Sequence, residues 1–165
     1  SQMAQYDFKE IYEAQKAAIW RLVARYVRTR HDREDLFQEI FWRVHRALPK
    51  FRGDAQINTW IYRVAVNTAL TYLKRQKRYA FIQNAFSQLR WYKHSEPVEP
   101  DTSTLDKPLT KLNPKQRMIL VLSDIEDKSL AEIAWIMKLP LGTIKSTLHR
   151  AREIIKKELM KSNAL

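Results

Sequence analysis

The chain has 165 residues, 45% of them hydrophobic, which is enough to bury a core and excludes a chain disordered by composition. It has no cysteine, so disulfides and thiolate metal sites are excluded, and only two glycines, Gly53 and Gly142, so no glycine-rich phosphate loop or dinucleotide fingerprint can form. Thirty Lys and Arg against eighteen Asp and Glu give a net charge of +12, a balance that favours a polyanionic partner, nucleic acid before an acidic membrane.

Few glycines and few alternating β-branched runs predict an all-helical protein. Residues 8–28 place Phe8, Ile11, Tyr12, Ala18, Ile19, Leu22, Val23 and Tyr26 near helical spacing. A second helix is expected from about 33 to 48, with Asp32 as its N-cap and Leu36, Phe37, Ile40, Phe41, Val44 and Leu48 on one buried face. Opposite that face lie Asp35, Gln38, Glu39, Trp42 and Arg46. A tryptophan on a charged face points to a protein-binding patch; the plain alternative is a solvated face of ion pairs with Trp42 folded over its neighbours. Pro49 stops this helix, and Gly53-Asp54 marks a turn in the following loop.

Asn58 is placed to cap a third helix, "INTWIYRVAVNTALTYLKRQKR". Ile57, Ile61, Val64, Thr68 and Tyr72 form its buried stripe. Trp60, Arg63, Asn67, Thr71, Lys74 and Arg78 recur at steps of three or four and form a second stripe. Cations hold a phosphate chain, a ring stacks on an unpaired base, and an amide bonds a base edge, so this stripe suits single-stranded nucleic acid. The alternative for Trp60, Tyr62 and Tyr72 is packing between helices. A further helix is expected over about 80–92.

"HSEPVEPDTSTLDKP" holds three prolines and no aromatic residue, the composition of a flexible linker. Charge partitions the chain the same way. Residues 1–92 hold 17 basic and 8 acidic residues, net +9; residues 93–110 hold 2 and 4, net −2; residues 111–165 hold 11 and 6, net +5. Two basic domains, 1–92 and 111–165, therefore flank an acidic tether over 93–110.

In the C-terminal domain Asn113 is an N-cap followed by Pro114 at the first helical position. "SLAE" at 129–132 is a capping box, and "KLPLG" turns the chain into a last helix over about 140–160. A short helix, a tight turn and a longer cation-bearing helix make a helix-turn-helix. Ile144 and Leu148 anchor the last helix inward, leaving Lys145, Ser146, His149, Arg150 and Arg152 outward or sideways, with reach for base edges or phosphates in a major groove. The plain alternative is an amphipathic hairpin with a solvated basic face.

"DREDLFQEIFWRVHRALPKFRGDAQINTWIYRVAVNTALTYLKR" resembles domain 2 of bacterial sigma factors, and "LPLGTIKSTLHRARE" after "LNPKQRMILVL" resembles their domain 4. The two in this order over residues 8–160, with only a short tether between, resemble the extracytoplasmic-function group of the sigma-70 family. The resemblance implies two small helical domains and a promoter-specificity subunit for core RNA polymerase, without catalytic chemistry or cofactor. It implies that Asp35, Gln38, Glu39 and Trp42 dock on the β′ clamp helices, and that the second domain meets the β flap. Phe51, Arg52, Trp60, Tyr62, Arg63, Asn67 and Lys74 become readers of the −10 element, with Asn67 holding a flipped base. Lys145, Ser146, His149, Arg150 and Arg152 become readers of −35 promoter DNA. The tether threads toward the RNA exit path, and an anti-sigma factor is a common partner in the family. Two positions depart from the family pattern: Lys138 stands where glycine is usual in the turn, and Thr147 where arginine is common.

The competing function classes are a repressor or activator with an N-terminal sensing domain, binding closed duplex without polymerase, and an enzyme. For the enzyme the carboxylate clusters to weigh are Asp35/Glu39 and Asp124/Glu126/Asp127; neither comes with a histidine, and both suit ion pairs or a solvated surface. No run approaches the roughly 18 apolar residues of a membrane helix and no leader pattern is visible, so a reducing cytoplasm is the expected compartment.

Overall fold

Four of the described helices begin where a short polar side chain, Asp7, Thr29, Asn113 or Ser129, accepts from a free backbone N–H. A computed structural model describes residues 6–87 and 106–163. Among the described residues there is no strand. The chain divides into two units, Ser1–Glu99 and Pro100–Leu165.

In the first unit, α1 (Phe8–Tyr26) is capped by Asp7, whose carboxylate accepts from the Lys9 N–H at 3.1 Å. The Arg33 Nε donates to the Val27 carbonyl at 2.5 Å and ties the end of α1 to the start of α2 (Arg30–Ala47). The cap of α2 is Thr29, not Asp32: the Thr29 hydroxyl accepts from the Asp32 N–H at 3.2 Å. In "RTRHD" the break falls at Arg28 and Thr29, and helix resumes at Arg30, so the earlier oxygen takes the role. Asp32 falls in the first turn, where its charge meets the positive end of the helix dipole. Pro49, lacking an N–H, sits in the single 3-10 turn Leu48–Lys50 that closes α2.

The third helix, α3, runs without interruption from Ile57 to Ser87. The separate helix expected over 80–92 is instead its continuation up to Ser87, and the remainder lies outside the described residues. The reason is local: no proline or glycine occurs between Ile57 and Ser87. Asn58 does not cap α3. It sits inside the first turn, and its side-chain oxygen accepts from Gln15 Nε2 of α1 at 2.8 Å.

The core of this unit is Ile19, Leu22 and Val23 from α1, Leu36, Ile40 and Val44 from α2, and Ile61, Ala65, Val66 and Ala69 from α3. Each buried aliphatic side chain of Leu, Ile or Val size stabilises by about 1.5–3 kcal/mol. Because α3 packs on both α1 and α2, its buried face is wider than the single stripe read from the sequence. Ile57, Val64 and Tyr72, placed on that stripe, are half-buried. The one buried polar core residue among those described, Thr68, donates its hydroxyl to the Val64 carbonyl at 2.6 Å.

In the second unit a short helix, α4 (Asp106–Leu109), packs on α7 (Leu141–Asn163), so the last residues assigned to the tether belong to the folded domain. The tether up to residue 105 lies outside the described residues. Asn113 and Gln116 form a reciprocal capping box at the start of α5 (Pro114–Leu120). The helix then widens into a single π turn, Val121–Ile125, which the sequence did not announce. The Ser129–Glu132 box opens α6 (Leu130–Met137) as expected, with both bonds at 3.1 Å. Met118, Ile119, Leu122, Ile133, Ile136, Ile144, Leu148 and Ala151 close the core between α5, α6 and α7.

Candidate nucleic-acid interface

The turn between α6 and α7 sets how α7 is displayed. Lys138 adopts the left-handed conformation, φ 56° and ψ 45°, and the Leu139 N–H returns to the Ala134 carbonyl at 3.1 Å. An L-residue there costs about 1–2 kcal/mol, so the lysine reaches the same geometry as a glycine at an energetic penalty. Beyond the turn, Ile144, Leu148 and Ala151 are buried. That locks one face of α7 inward and leaves Lys145, Ser146, His149 and Arg150 exposed on the other. The Ser146 hydroxyl donates to the Thr143 carbonyl at 3.2 Å.

Arg152 is different. Its Nε and Nη2 donate to the two Asp124 carboxylate oxygens at 3.0 and 2.6 Å. The hydrogen bond from Arg152 holds the Asp124 carboxyl below its ordinary value, and the same bond raises Arg152 above its own. Arg152, expected to reach DNA, is thus bonded within its own unit.

On α3 the second stripe survives as the face turned away from the buried side chains. Trp60, Arg63 and Asn67 are half-buried, and Thr71 and Lys74 exposed; the Arg78 side chain lies outside the described part. The Asn67 amide nitrogen donates to the Arg63 carbonyl at 2.8 Å, and the Thr71 hydroxyl to the Asn67 carbonyl at 2.9 Å. Partial burial lowers the Arg63 guanidinium from its ordinary value. The loop before α3 turns at Gly53, φ 78°, and brings Phe51 to 5.0 Å from the Trp60 ring, with Tyr6 edge-on behind Phe51 at 5.6 Å. Arg52 is exposed beside them.

Tyr62 does not share this surface. It is 5% exposed and belongs to the core, because α3 is covered on two sides. Its ring is therefore removed from the set of candidate base-stacking groups. Tyr72 is half-buried, its phenol raised above the ordinary range by burial first and by the charge of Asp32 next.

On α2 the outward face carries Asp35, 3.4 Å from His31, and Glu39, bonded to Arg43 at 2.9 Å. Gln38 is exposed, and Trp42 is 56% exposed, which is unusual for the largest apolar side chain. Arg46 covers one side of its ring at 4.6 Å. The Glu39–Arg43 pair follows the solvated-face reading, whereas Trp42 is more exposed than a ring folded over its neighbours would be. Beside Trp42 runs an apolar groove lined by Phe8, Tyr12, Phe37, Phe41 and His45, which sequence reasoning missed. Its signal was present in the aromatic residues of α1 and α2, but only their packing opens a gap.

Among the described residues, no group of His, Asp and Glu is arranged to hold a metal, and no helix is long and apolar enough to cross a membrane. Of the carboxylates weighed for catalysis, Glu39 and Asp124 pair with arginines, and Asp35 does have a histidine neighbour, His31 at 3.4 Å one helical turn back, contrary to the sequence reading.

Residues 11–79 match the family model for sigma-70 region 2, and residues 104–155 that for sigma-70 region 4. The chain is 38% identical over 149 residues to the ECF RNA polymerase sigma-E factor of Escherichia coli strain K12, covering 81% of this chain and 76% of that one. It is 29% identical over 165 residues to the ECF RNA polymerase sigma factor SigW of Bacillus subtilis strain 168, covering 92% and 88%. Its fold is similar to that of the sigma factor RpoE from Bartonella quintana, solved in complex with the anti-sigma factor NepR. The TM-score is 0.70 at 22% identity, over 93% of this chain and 97% of that one.

Proposed function

Because the chain belongs to the sigma-70 family of RNA polymerase sigma factors, in its extracytoplasmic-function group, we propose how its exposed faces divide the work of that function. Asp35, Gln38, Glu39 and Trp42 dock the β′ clamp helices of core polymerase. Phe51, Arg52, Trp60, Arg63, Asn67 and Lys74 read the −10 strand. Lys145, Ser146, His149 and Arg150 read the −35 duplex, and the domain that carries them meets the β flap.

The observation that carries this reading is the exposure of Lys145, Ser146, His149 and Arg150 on a helix whose opposite face is locked into a core. Preorganised donors on a rigid rod are what major-groove recognition needs. The α3 stripe and the loop before it supply the second half: the Phe51–Trp60 ring pair, an amide and cations suit a strand that has left the duplex. The first surface holds closed DNA, and the second gains contacts only after strands separate. That difference in affinity shifts DNA toward the open form. No bond-making step falls to this chain, and its place of work is the cytoplasm, where polymerase is. An anti-sigma protein is a further partner in this reading, as for the RpoE relative solved with NepR.

Run-off transcription with bacterial core polymerase on a promoter library tests the whole. A defined set of promoters is expected to fire only when the chain is added. Asp35→Arg with Trp42→Ala is expected to abolish capture of core polymerase. Full capture by that variant removes the α2 docking face, and tight binding of the free chain to intact duplex without polymerase favours a repressor instead.

A further inference from the structure

Arg152 lies about three turns into α7. Lys145, His149, Arg152 and Lys156 follow one another at steps of four, three and four, so they share one stripe of the helix. A free arginine on this stripe is a phosphate contact, and it adds affinity for any DNA sequence. Yet this guanidinium is closed on Asp124 through two parallel bonds at 3.0 and 2.6 Å.

The acceptor is held in place by the backbone around it. Asp124 sits in the π turn Val121–Ile125. The Glu126 N–H returns to the Val121 carbonyl at 2.9 Å, and the Lys128 N–H to the Leu122 carbonyl at 2.9 Å. Val121 and Leu122 are buried. The π turn therefore presents the carboxylate from a fixed base, and the planar fork of Arg152 meets it with both donors. The pair is neutral as a unit and stands beside an exposed cationic stripe.

Resting on the reading of α7 as the −35 surface, we propose that Asp124 withholds Arg152 from DNA and so sets the specificity of that surface. Taking one sequence-independent contact out of the total leaves a larger share of the binding to the side chains that face base edges, Lys145, Ser146, His149 and Arg150. Asp124 acts as a positioning residue through Arg152, without touching the duplex.

The test uses the full chain in reconstituted holoenzyme, bound to a duplex that this holoenzyme selects from a randomised promoter library. Binding is measured over a series of salt concentrations. Asp124→Asn frees Arg152 and is expected to steepen the slope of log K against log salt by about 0.9, the value for one added phosphate contact on B-DNA. It is also expected to lower the ratio of selected to scrambled duplex binding. Asp124→Asn with Arg152→Gln is expected to return the slope to that of the unaltered protein. An unchanged slope in Asp124→Asn overturns the proposal. So does a double variant as steep as Asp124→Asn, because the carboxylate then acts by its own repulsion and not through Arg152. Should Asp124→Asn fail to fold, Arg152→Gln alone decides: an unchanged slope supports the proposal, and a slope shallower by about 0.9 shows Arg152 already on a phosphate and overturns it. A holoenzyme of the unaltered chain that selects no duplex overturns the −35 reading and this inference with it, whereas the slope outcomes overturn the inference alone.

Discussion

Replacing Asn67 by alanine separates the recognition of bases from the stability of the helix that carries it. In the folded chain the amide nitrogen donates to the Arg63 carbonyl one turn back, and the residue is half-buried. Losing such a bond costs about 1 kcal/mol. Alanine returns roughly 0.5 kcal/mol through its higher helix propensity. The Arg63 carbonyl keeps its ordinary helical environment, so the net change in stability is about 0.5 kcal/mol. For a domain of this size that lowers the melting temperature by about 2–4 °C. The base contact proposed for Asn67 has a larger weight: a good bidentate contact discriminates by about 1–3 kcal/mol, which is about 5- to 150-fold. Run-off transcription with the variant holoenzyme, on a responsive promoter and on copies with each −10 base changed, measures that discrimination. The expected result is a loss of preference at one −10 position, with core polymerase binding and thermal unfolding close to those of the unaltered chain. Undiminished −10 preference refutes the role of Asn67. A collapse of the thermal transition refutes the reasoning about the fold, because the amide would then be holding more than one carbonyl.

Lys138→Gly relieves the left-handed penalty of about 1–2 kcal/mol, against about 0.5–1 kcal/mol for the greater freedom of glycine in the unfolded chain. Losing a cation near the end of α6 subtracts a few tenths more, about 0.3 kcal/mol. The expected net gain is about 0.5 kcal/mol, and a lower melting temperature in calorimetry contradicts the strain argument. The Asp124 carboxyl is held below its ordinary value when folded, so its contribution to stability is present above about pH 4. That contribution is lost as the pH falls through the depressed folded value. Melts of the unaltered chain and of Asp124→Asn at pH 6 and pH 3 are therefore expected to differ at the higher pH and to converge at the lower. A gap that widens in acid assigns the opposite sign to the pair and sinks the prediction.

Local chemistry was legible in several interactions that span one turn of helix. The box of Ser129 and Glu132, the cap at Asn113 and the stop at Pro49 are contacts between near neighbours, and each stands where reading predicted it. The same is true of α7: a buried Ile144 and Leu148 four residues apart oblige Lys145 and His149 to face outward. Thr29 in place of Asp32 as the cap of α2 was a near miss of the same kind, since both carry a capping oxygen and only the backbone selects between them. Asn58 failed as a cap for a different reason, its oxygen being taken by Gln15 from another helix.

Composition and periodicity alone were enough for the helical class, the two basic lobes with an acidic stretch between them, and the outward face of α7, because these follow from charge count and from bonds that close within a few residues. Packing had to supply the rest. Tyr62 is lost to the surface because α3 meets two helices, and one helical wheel cannot say how many neighbours a helix has. The groove beside Trp42 exists only as a gap between α1 and α2. Arg152 meets Asp124 across 28 residues, a pairing that depends on where a π turn leaves one carboxylate in space, and no spacing in the chain encodes it.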